Sequence, residues 1–311
     1  MLILLSQRLH LLPSSGEIDI DFDHVFLETE KCDAQYGYKS VRGYFPGVVS
    51  SNGVIVYVEN RDGNTPVTFN QAETLKRMFA LLNKRHLCVN RFRADCGSYT
   101  KAVIQTLQDN CTVFYLRAAR NADVVNHIKA TTHGSRWKKV IINDKECEVQ
   151  SVMYPPMGLN TSYRLVVKRE PDKTAQEGLF TGKVLSYTYW CILTNDMESS
   201  EEDVISLYNQ RGARERDFSS LNGDFGWKYP PFSYLKENTT FLIFTAMVKN
   251  FYTAFLRAVA PFFKDLTETS GVKRFLYSFV CVPAKWIRKS RRWQYVMFTT
   301  RPYTYLHFLR L

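Results

Sequence analysis

No C-x-x-C pair occurs in the chain, and its 7 cysteines are an odd number. That usage argues against a disulfide framework and for reduced thiols in a cytoplasmic setting. Cys96 reads as a small buried filler rather than a nucleophile. A bilayer-length apolar run is also missing: the most apolar stretch, Thr239–Val248, stops at Lys249-Asn250, short of the roughly 20 residues a span needs. Met1–Leu5 has no basic flank, and Gln7-Arg8 and His10 interrupt it, which speaks against a secretory leader. The expectation is a soluble protein with no membrane partner. Internal repeats are absent. Acidic residues disappear from Thr269 to Leu311, where nine Lys and Arg stand. Since the chain's net charge is +11, most of it lies in this segment. A basic segment beside a nearly neutral body selects a polyanionic partner, nucleic acid before membrane.

What is present is enough for a sizeable core. At 311 residues the length fits two domains, or one domain with a large insertion. Glu17–Asp23 alternates Ile18, Ile20 and Phe22 with Asp19, Asp21 and Asp23, a period-two strand with carboxylates on one face. Tyr44–Ser51 and Val54–Asn60 are β-rich runs joined by Asn52-Gly53, a strong hairpin signal. Thr68-x-x-Gln71 reads as a capping box opening a helix through Ala72, Leu75, Met78, Phe79 and Leu82. A strand over Cys88–Asp95, a helix from about Ser98 to Asn110 and a strand over Cys111–Arg117 follow. The order strand, strand, strand, helix, strand, helix, strand is that of an α/β ribonuclease-H-like fold, a mixed sheet flanked by helices.

A β-rich insertion is expected next. Asp123–Ala130 reads as a short helix, and Lys138–Asn143, Cys147–Met153, Ser162–Arg169 and Tyr187–Leu193 as strands, with a polar connector at Glu170–Gly182. Ser199-x-x-Glu202 is a second capping box, opening a helix that runs on past Tyr208. After Pro230-Pro231 an apolar helix covers Asn238–Val259. The organisation is therefore a short extension (1–16), the first part of the core (17–118), the insertion (119–197), the second part of the core (198–260) and a basic C-terminal region (261–311).

Three carboxylates fall at positions that chemistry can use. Asp21 shares the first strand's acidic face with Asp19 and Asp23, Asp95 closes the fourth strand, and Glu215 lies on the helix after the insertion. In this fold the first and fourth strands are neighbours, so Asp21 and Asp95 can converge, and a helix over the sheet can add Glu215. Clustered carboxylates repel one another unless a cation offsets the charge. Magnesium does so while keeping waters for substrate phosphates, and two such ions suit phosphodiester chemistry. A solvated strand face, a turn-forming aspartate and a surface glutamate are the plainer readings of each acid taken singly. On the helix, Arg211 and Glu215 are i,i+4 neighbours with Tyr208 a turn earlier, and Asn222 extends the stripe. Gly212 inside that helix is costly unless something approaches the backbone closely.

These blocks together resemble bacterial insertion-sequence DDE transposases. The resemblance rests on the Asp21 strand, Gly43-Tyr44-Phe45-Pro46-Gly47, Arg93-Ala94-Asp95-Cys96-Gly97-Ser98-Tyr99, Tyr208-x2-Arg211-x3-Glu215 and Asn222-Gly223-Asp224-Phe225-Gly226-Trp227. The match is to the insertion-sequence-1380 group, within the set carrying a Tyr-Arg-Glu-Lys signature. It implies Mg2+-dependent cleavage at terminal inverted repeats, with two ions and Mn2+ as a substitute, then transfer of the 3′-hydroxyl into target DNA. It implies Asp21, Asp95 and Glu215 as catalytic metal ligands, with Asp19 the runner-up for the first acid. Tyr208 and Arg211 would contact phosphates near the cleaved end, and Trp190 or Trp137 would stack on a displaced base. Double-stranded DNA is the implied partner, bound by a homodimer, and some relatives pass through a hairpin intermediate. Two departures are visible. Asn222 stands where the signature has lysine, leaving Arg214, Arg216 or Lys228 to supply the charge. Only sixteen residues precede Glu17, which reads as a truncated frame, so a non-catalytic DNA-binding remnant is the alternative function.

Lys285, Arg288, Lys289, Arg291 and Arg292 interleave with Trp286 and Trp293. They are expected to neutralise phosphates with salt-dependent affinity, or else to form a solvated helix face whose indoles dock on the core.

Overall fold

The computed structural model describes residues 1–171 and 187–298. From residue 172 on, the expected polar connector lies outside them, as does the end of the basic region from 299. Helix α1 (Leu2–Arg8) leads into β1 (Gly16–His24). Three short strands, β2 (Leu27–Glu28), β3 (Gln35–Tyr36) and β4 (Arg42–Tyr44), form a small sheet of their own. The chain continues through β5 (Gly47–Ser51), β6 (Val54–Glu59), α2 (Gln71–Asn83), β7 (Leu87–Ala94), α3 (Lys101–Asn110) and β8 (Cys111–Arg117). The hairpin β5–β6 turns at Asn52 and Gly53, both at positive φ (46° and 84°), the conformation that Asn-Gly favours.

These strands lie in the order β6-β5-β1-β7-β8. β5 is antiparallel to β1 and β6, whereas β1, β7 and β8 run parallel. This is the ribonuclease-H-like mixed sheet expected from the chain order. The later strands do not form a separate layer. After α4 (Ala122–Thr131), strands β9 (Lys138–Ile142), β10 (Lys145–Tyr154), β11 (Tyr163–Pro171) and β12 (Tyr187–Thr194) extend the same sheet to nine strands, β12 pairing antiparallel with β8.

Apolar residues on one face of the sheet, among them Ile18, Ile20, Phe22, Phe92 and Phe114, pack with α2 (Leu75, Met78, Phe79, Leu82), α3 (Val103, Ile104, Leu107) and α4 (Val124, Ile128). Burial on that scale, at about 25 cal/mol per Å2 of apolar surface, is what fixes the register of β1. The opposite face is covered in two patches. Helix α5 (Glu201–Asn209) packs Val204, Ile205 and Tyr208 over β8 to β12. Helices α6 (Arg214–Gly223) and α7 (Leu235–Val259) pack Leu221, Leu242 and Ala246, with Trp227, over β5 and β6. Between the patches lie β1 and β7, whose residues on that face are charged, Asp21 and Arg93 among them buried.

Helix starts differ from the sequence reading. Thr68 does not cap α2; its N-cap is Asn70, in the left-handed region, and the buried Gln71 donates to Ser98 Oγ at 2.9 Å. A tertiary hydrogen bond there displaces the local capping pattern. The later cap falls one residue on, with Ser200 accepting from the Asp203 N–H at 3.1 Å. The apolar α7 continues as a helical segment to Phe262, long and apolar enough to cross a membrane by composition alone. It is instead tied to the sheet by buried polar groups: Asn250 accepts from the Ile55 N–H at 3.0 Å and donates to the Ile55 carbonyl at 2.7 Å. That amide satisfies one residue of the β6 edge, which no described strand covers.

Candidate active site

The acidic face of β1 is an ion-pair ladder. Asp19 meets Arg91 at 3.7 Å. Asp21, 3% exposed, receives both Nε (2.7 Å) and Nη2 (2.9 Å) of Arg93 in a bidentate fork. Arg93 also donates to the Leu207 carbonyl at 2.7 Å, so it ties β1 and β7 to the end of α5. The parallel pairing aligns Asp21 with Arg93 and Phe22 with Ala94. One step further, Asp23 and Asp95 come level at the ends of adjacent strands.

The register therefore puts Asp23, not Asp21, beside Asp95. The negative charge of Asp95 is felt at Asp23, whose pKa is pushed up to about 6 by burial and by Asp95, against the pull of Arg211. Asp95 accepts from the Gly97 N–H at 3.0 Å, so it also does the turn-capping expected of an aspartate there. Arg211 reaches from the α5–α6 junction to Asp23 at 2.7 Å. Burial works against its charge, but Asp23 foremost, with smaller contributions from Tyr208, Asp95 and Asp21, holds its pKa above the usual arginine value.

Two parts of the expected helix stripe are rearranged. The helix does not run unbroken through Glu215: Gln210–Ala213 is a 3-10 segment, and α6 restarts at Arg214. A glycine at 212 has little tendency to carry an α-helix across that point, and a Cβ built there would meet open space, so no close approach explains it. Tyr208 turns inward, 7% exposed, and its hydroxyl donates to the Ala94 carbonyl at 3.3 Å. It packs the sheet rather than facing a ligand, and burial raises its pKa. Glu215 is exposed on α6.

Among the described residues no group of three or more His, Cys, Asp and Glu is gathered closely enough to hold a metal ion. The pair Asp23–Asp95 fits a divalent cation by its chemistry, since two hard oxygen donors with one pKa already raised are what such an ion stabilises. The third donor, Glu215, is not assembled with them. Trp137 is a core residue with the Arg169 guanidinium 4.0 Å from its ring, and Trp190 lies under Lys168 at 4.6 Å. Cys96 is exposed, not buried. Of the basic C-terminal residues, Lys285, Arg288 and Lys289 lie on one strand and Arg292 on the next, with Arg291 at the turn between them.

The fold is a ribonuclease-H-like mixed sheet with carboxylates at the ends of two neighbouring parallel strands. A family model described as Transposase DDE domain group 1 matches residues 10–308, and the chain belongs to that family. No curated protein matches. Among solved structures, the chain is similar to the piggyBac transposase in its cryo-EM synaptic complex with hairpin DNA, at TM-score 0.49 and 11% identity, covering 86% of this chain and 52% of that one. The chain thus spans about half the length of that protein.

Proposed function

We propose that this chain is a transposase that cuts DNA at terminal inverted repeats and transfers the freed 3′-hydroxyl into target DNA, using Asp23, Asp95 and Glu215 as its acidic set. The single observation that carries this reading is the parallel register of β1 and β7, which runs to Phe22–Ala94 so that Asp23 and Asp95 follow it side by side, where burial, with the Asp95 charge added, raises the Asp23 pKa. Mg2+, or Mn2+ in its place, would be held by Asp23 and Asp95 and would supply charge neutralisation and water activation for phosphodiester cleavage. Glu215 completes the set by movement of the segment after the 3-10 break. Asp21 is a positioning residue in this scheme, because its oxygens already accept from Arg93. Arg211 is the guanidinium best placed for a phosphate at the site, and duplex DNA bound by a homodimer is the proposed substrate complex.

The exposure of Glu215, apart from the aspartate pair, favours a second reading in which this chain binds DNA without cutting it. One experiment separates the two. A labelled duplex carrying the element's terminal repeat is incubated with the protein and Mg2+ or Mn2+, beside Asp23→Asn, Asp95→Ala and Glu215→Ala, with gel-shift binding on the same samples. Metal-dependent nicking lost in all three variants supports the enzyme. Salt-sensitive binding without nicking supports the remnant.

A further inference from the structure

The lower rungs of the ion-pair ladder are closed. Arg91 meets Asp19 at 3.7 Å, Arg93 meets Asp21 at 2.7 Å and Arg211 meets Asp23 at 2.7 Å. One strand further on, β8 adds another arginine to the same face. Its parallel pairing with β7 sets Arg93 beside Tyr115 and Ala94 beside Leu116, so Asp95 and Arg117 follow side by side. Side chains two apart on a strand share a face. Tyr115, two before Arg117, packs with Val204, Ile205 and Tyr208 of α5. Asp95 keeps an extended backbone (φ −79°, ψ −175°), which carries the alternation on from Arg93. Asp23, Asp95 and Arg117 thus stand in one row at the ends of three neighbouring parallel strands. Arg117 is half-buried and forms no hydrogen bond or ion pair with any described residue. Its partner on the other side is Ile192 of β12, apolar and buried, which offers no opposing charge.

We propose that Arg117 is a phosphate-binding residue of the site, gripping a backbone phosphate of DNA that lies across the ends of β1, β7 and β8. A guanidinium keeps its full attraction for an anion when no acid in the fold claims it, and its planar fork matches phosphate oxygens. Arg93 is spent on Asp21 and on the Leu207 carbonyl, and Arg211 divides its charge between Asp23 and any ligand. Arg117 has no such claim on it. The end of α5 confirms which way it faces. At the buried Tyr208 hydroxyl, burial raises the pKa, the charges of Arg211 and Arg117 pull it down, and Asp95 pushes it up. Arg211 and Arg117 therefore flank the acids from opposite ends of the row, with Tyr208 between them. The inference rests on the reading of Asp23 and Asp95 as the cutting site, since that reading makes the ligand a phosphodiester chain rather than some other anion.

The test measures anisotropy of a labelled terminal-repeat duplex with the full chain in EDTA, where no cutting occurs. A set of duplexes, each with one uncharged methylphosphonate in place of a phosphate, is run beside it. Arg117→Gln should weaken binding by about tenfold and lower the salt slope by about 0.9, one duplex phosphate no longer neutralised. At one methylphosphonate position the parent should lose the same factor and Arg117→Gln nothing further, because the two changes remove one contact. Arg117→Lys, which keeps the charge, should recover part of the binding. Arg120→Gln removes an exposed cation three residues on, and its loss should add to that of the same methylphosphonate. The unfolding temperature of Arg117→Gln should stay within about 2 °C of the parent's, because nothing in the fold leans on that guanidinium. Parent-like binding by Arg117→Gln, losses that add at every position, or a larger fall in unfolding temperature would overturn the proposal. Nicking assays with Mg2+ on the same proteins separate the two readings. The coupling without nicking sinks only the cleavage reading; nicking without the coupling sinks only the role of Arg117.

Discussion

The Arg211 guanidinium lies 2.7 Å from the Asp23 carboxylate, joining the break between α5 and α6 to the end of the first strand. It opposes the burial and the Asp95 charge that raise the Asp23 pKa to about 6. Removing it leaves those two causes opposed only by the His24 backbone N–H, which donates to Asp23 at 2.9 Å. Arg211→Gln should therefore raise the Asp23 pKa further, read by carbon NMR of labelled aspartate. It should also reduce cleavage by on the order of a hundredfold if the guanidinium stabilises charge at the phosphate. An unchanged titration would mean that the ion pair is not formed in solution.

Asp21 and Asp23 are two residues apart and should behave oppositely. Asp21→Asn leaves Arg93 buried with a neutral partner, and breaking a buried pair costs about 3–5 kcal/mol. Asp23→Asn unpairs Arg211, but that pair is more exposed than Asp21–Arg93 and the acid's ionisation is already disfavoured, so its unfolding temperature should fall less than that of Asp21→Asn while cleavage disappears. Calorimetry and the nicking assay on both variants decide this. A stable Asp21→Asn protein that cannot cut DNA would return the first acid to Asp21.

How the carboxylates can be read from sequence explains why one is displaced. The alternation of Asp19, Asp21 and Asp23 with Ile18, Ile20 and Phe22 is visible because period two is local, and it reveals the strand and its acidic face. Which acid meets Asp95 depends on the pairing of β1 with β7, a contact across some seventy residues that no local pattern encodes. Arg93 carries a usable signal: an arginine on a strand expected to be central needs a buried partner, and Asp21 is that partner. Asp23, next to last in β1, could be chosen because sites in such sheets gather at strand ends. The helix through Glu215 breaks at Gly212, where low helix propensity outweighs the i,i+4 spacing of Arg211 and Glu215. The basic segment forms a hairpin rather than a helix face, hidden in the sequence because Ser290-Arg291 is not a pair that normally signals a tight turn.

His24 provides a pH test. Burial, with the charge of Arg61, lowers its pKa to about 3 from an ordinary 6.5. The unfolded chain therefore binds a proton that the folded chain refuses, and the stability from neutral His24 is present above pH 6.5 and lost as pH falls toward 3. The slope is on the order of 1 kcal/mol per pH unit. Asp23, raised to about 6, works the other way: it favours the fold as it takes up its proton below pH 6. His24→Phe should flatten the acid-side loss in urea titrations between pH 6.5 and 4. A parent-like slope in the variant would assign the loss to other groups.

Asn250 can be tested through the strand it covers. Its amide makes both bonds to Ile55, so Asn250→Leu strands one buried N–H and one buried carbonyl, at about 2–4 kcal/mol together. Hydrogen exchange at Ile55 should accelerate by more than a hundredfold, while amides in β7 slow or quicken only with global stability. Protection retained at Ile55 would show that water replaces the side chain there.

The nine strands form one ladder, and its seam between the first part of the core and the later strands is the pairing of Ile192, Leu193 and Thr194 with Arg117, Leu116 and Tyr115. Three residue pairs in a buried sheet act as a weld rather than a hinge. Whatever lies against β9 to β12 is held at a fixed distance and angle from Asp23 and Asp95, and it cannot swing toward them without tearing the sheet. The outer strands thus serve as a ruler: each lies about 4.8 Å farther from the aspartates than the one before it, the spacing of neighbouring strands.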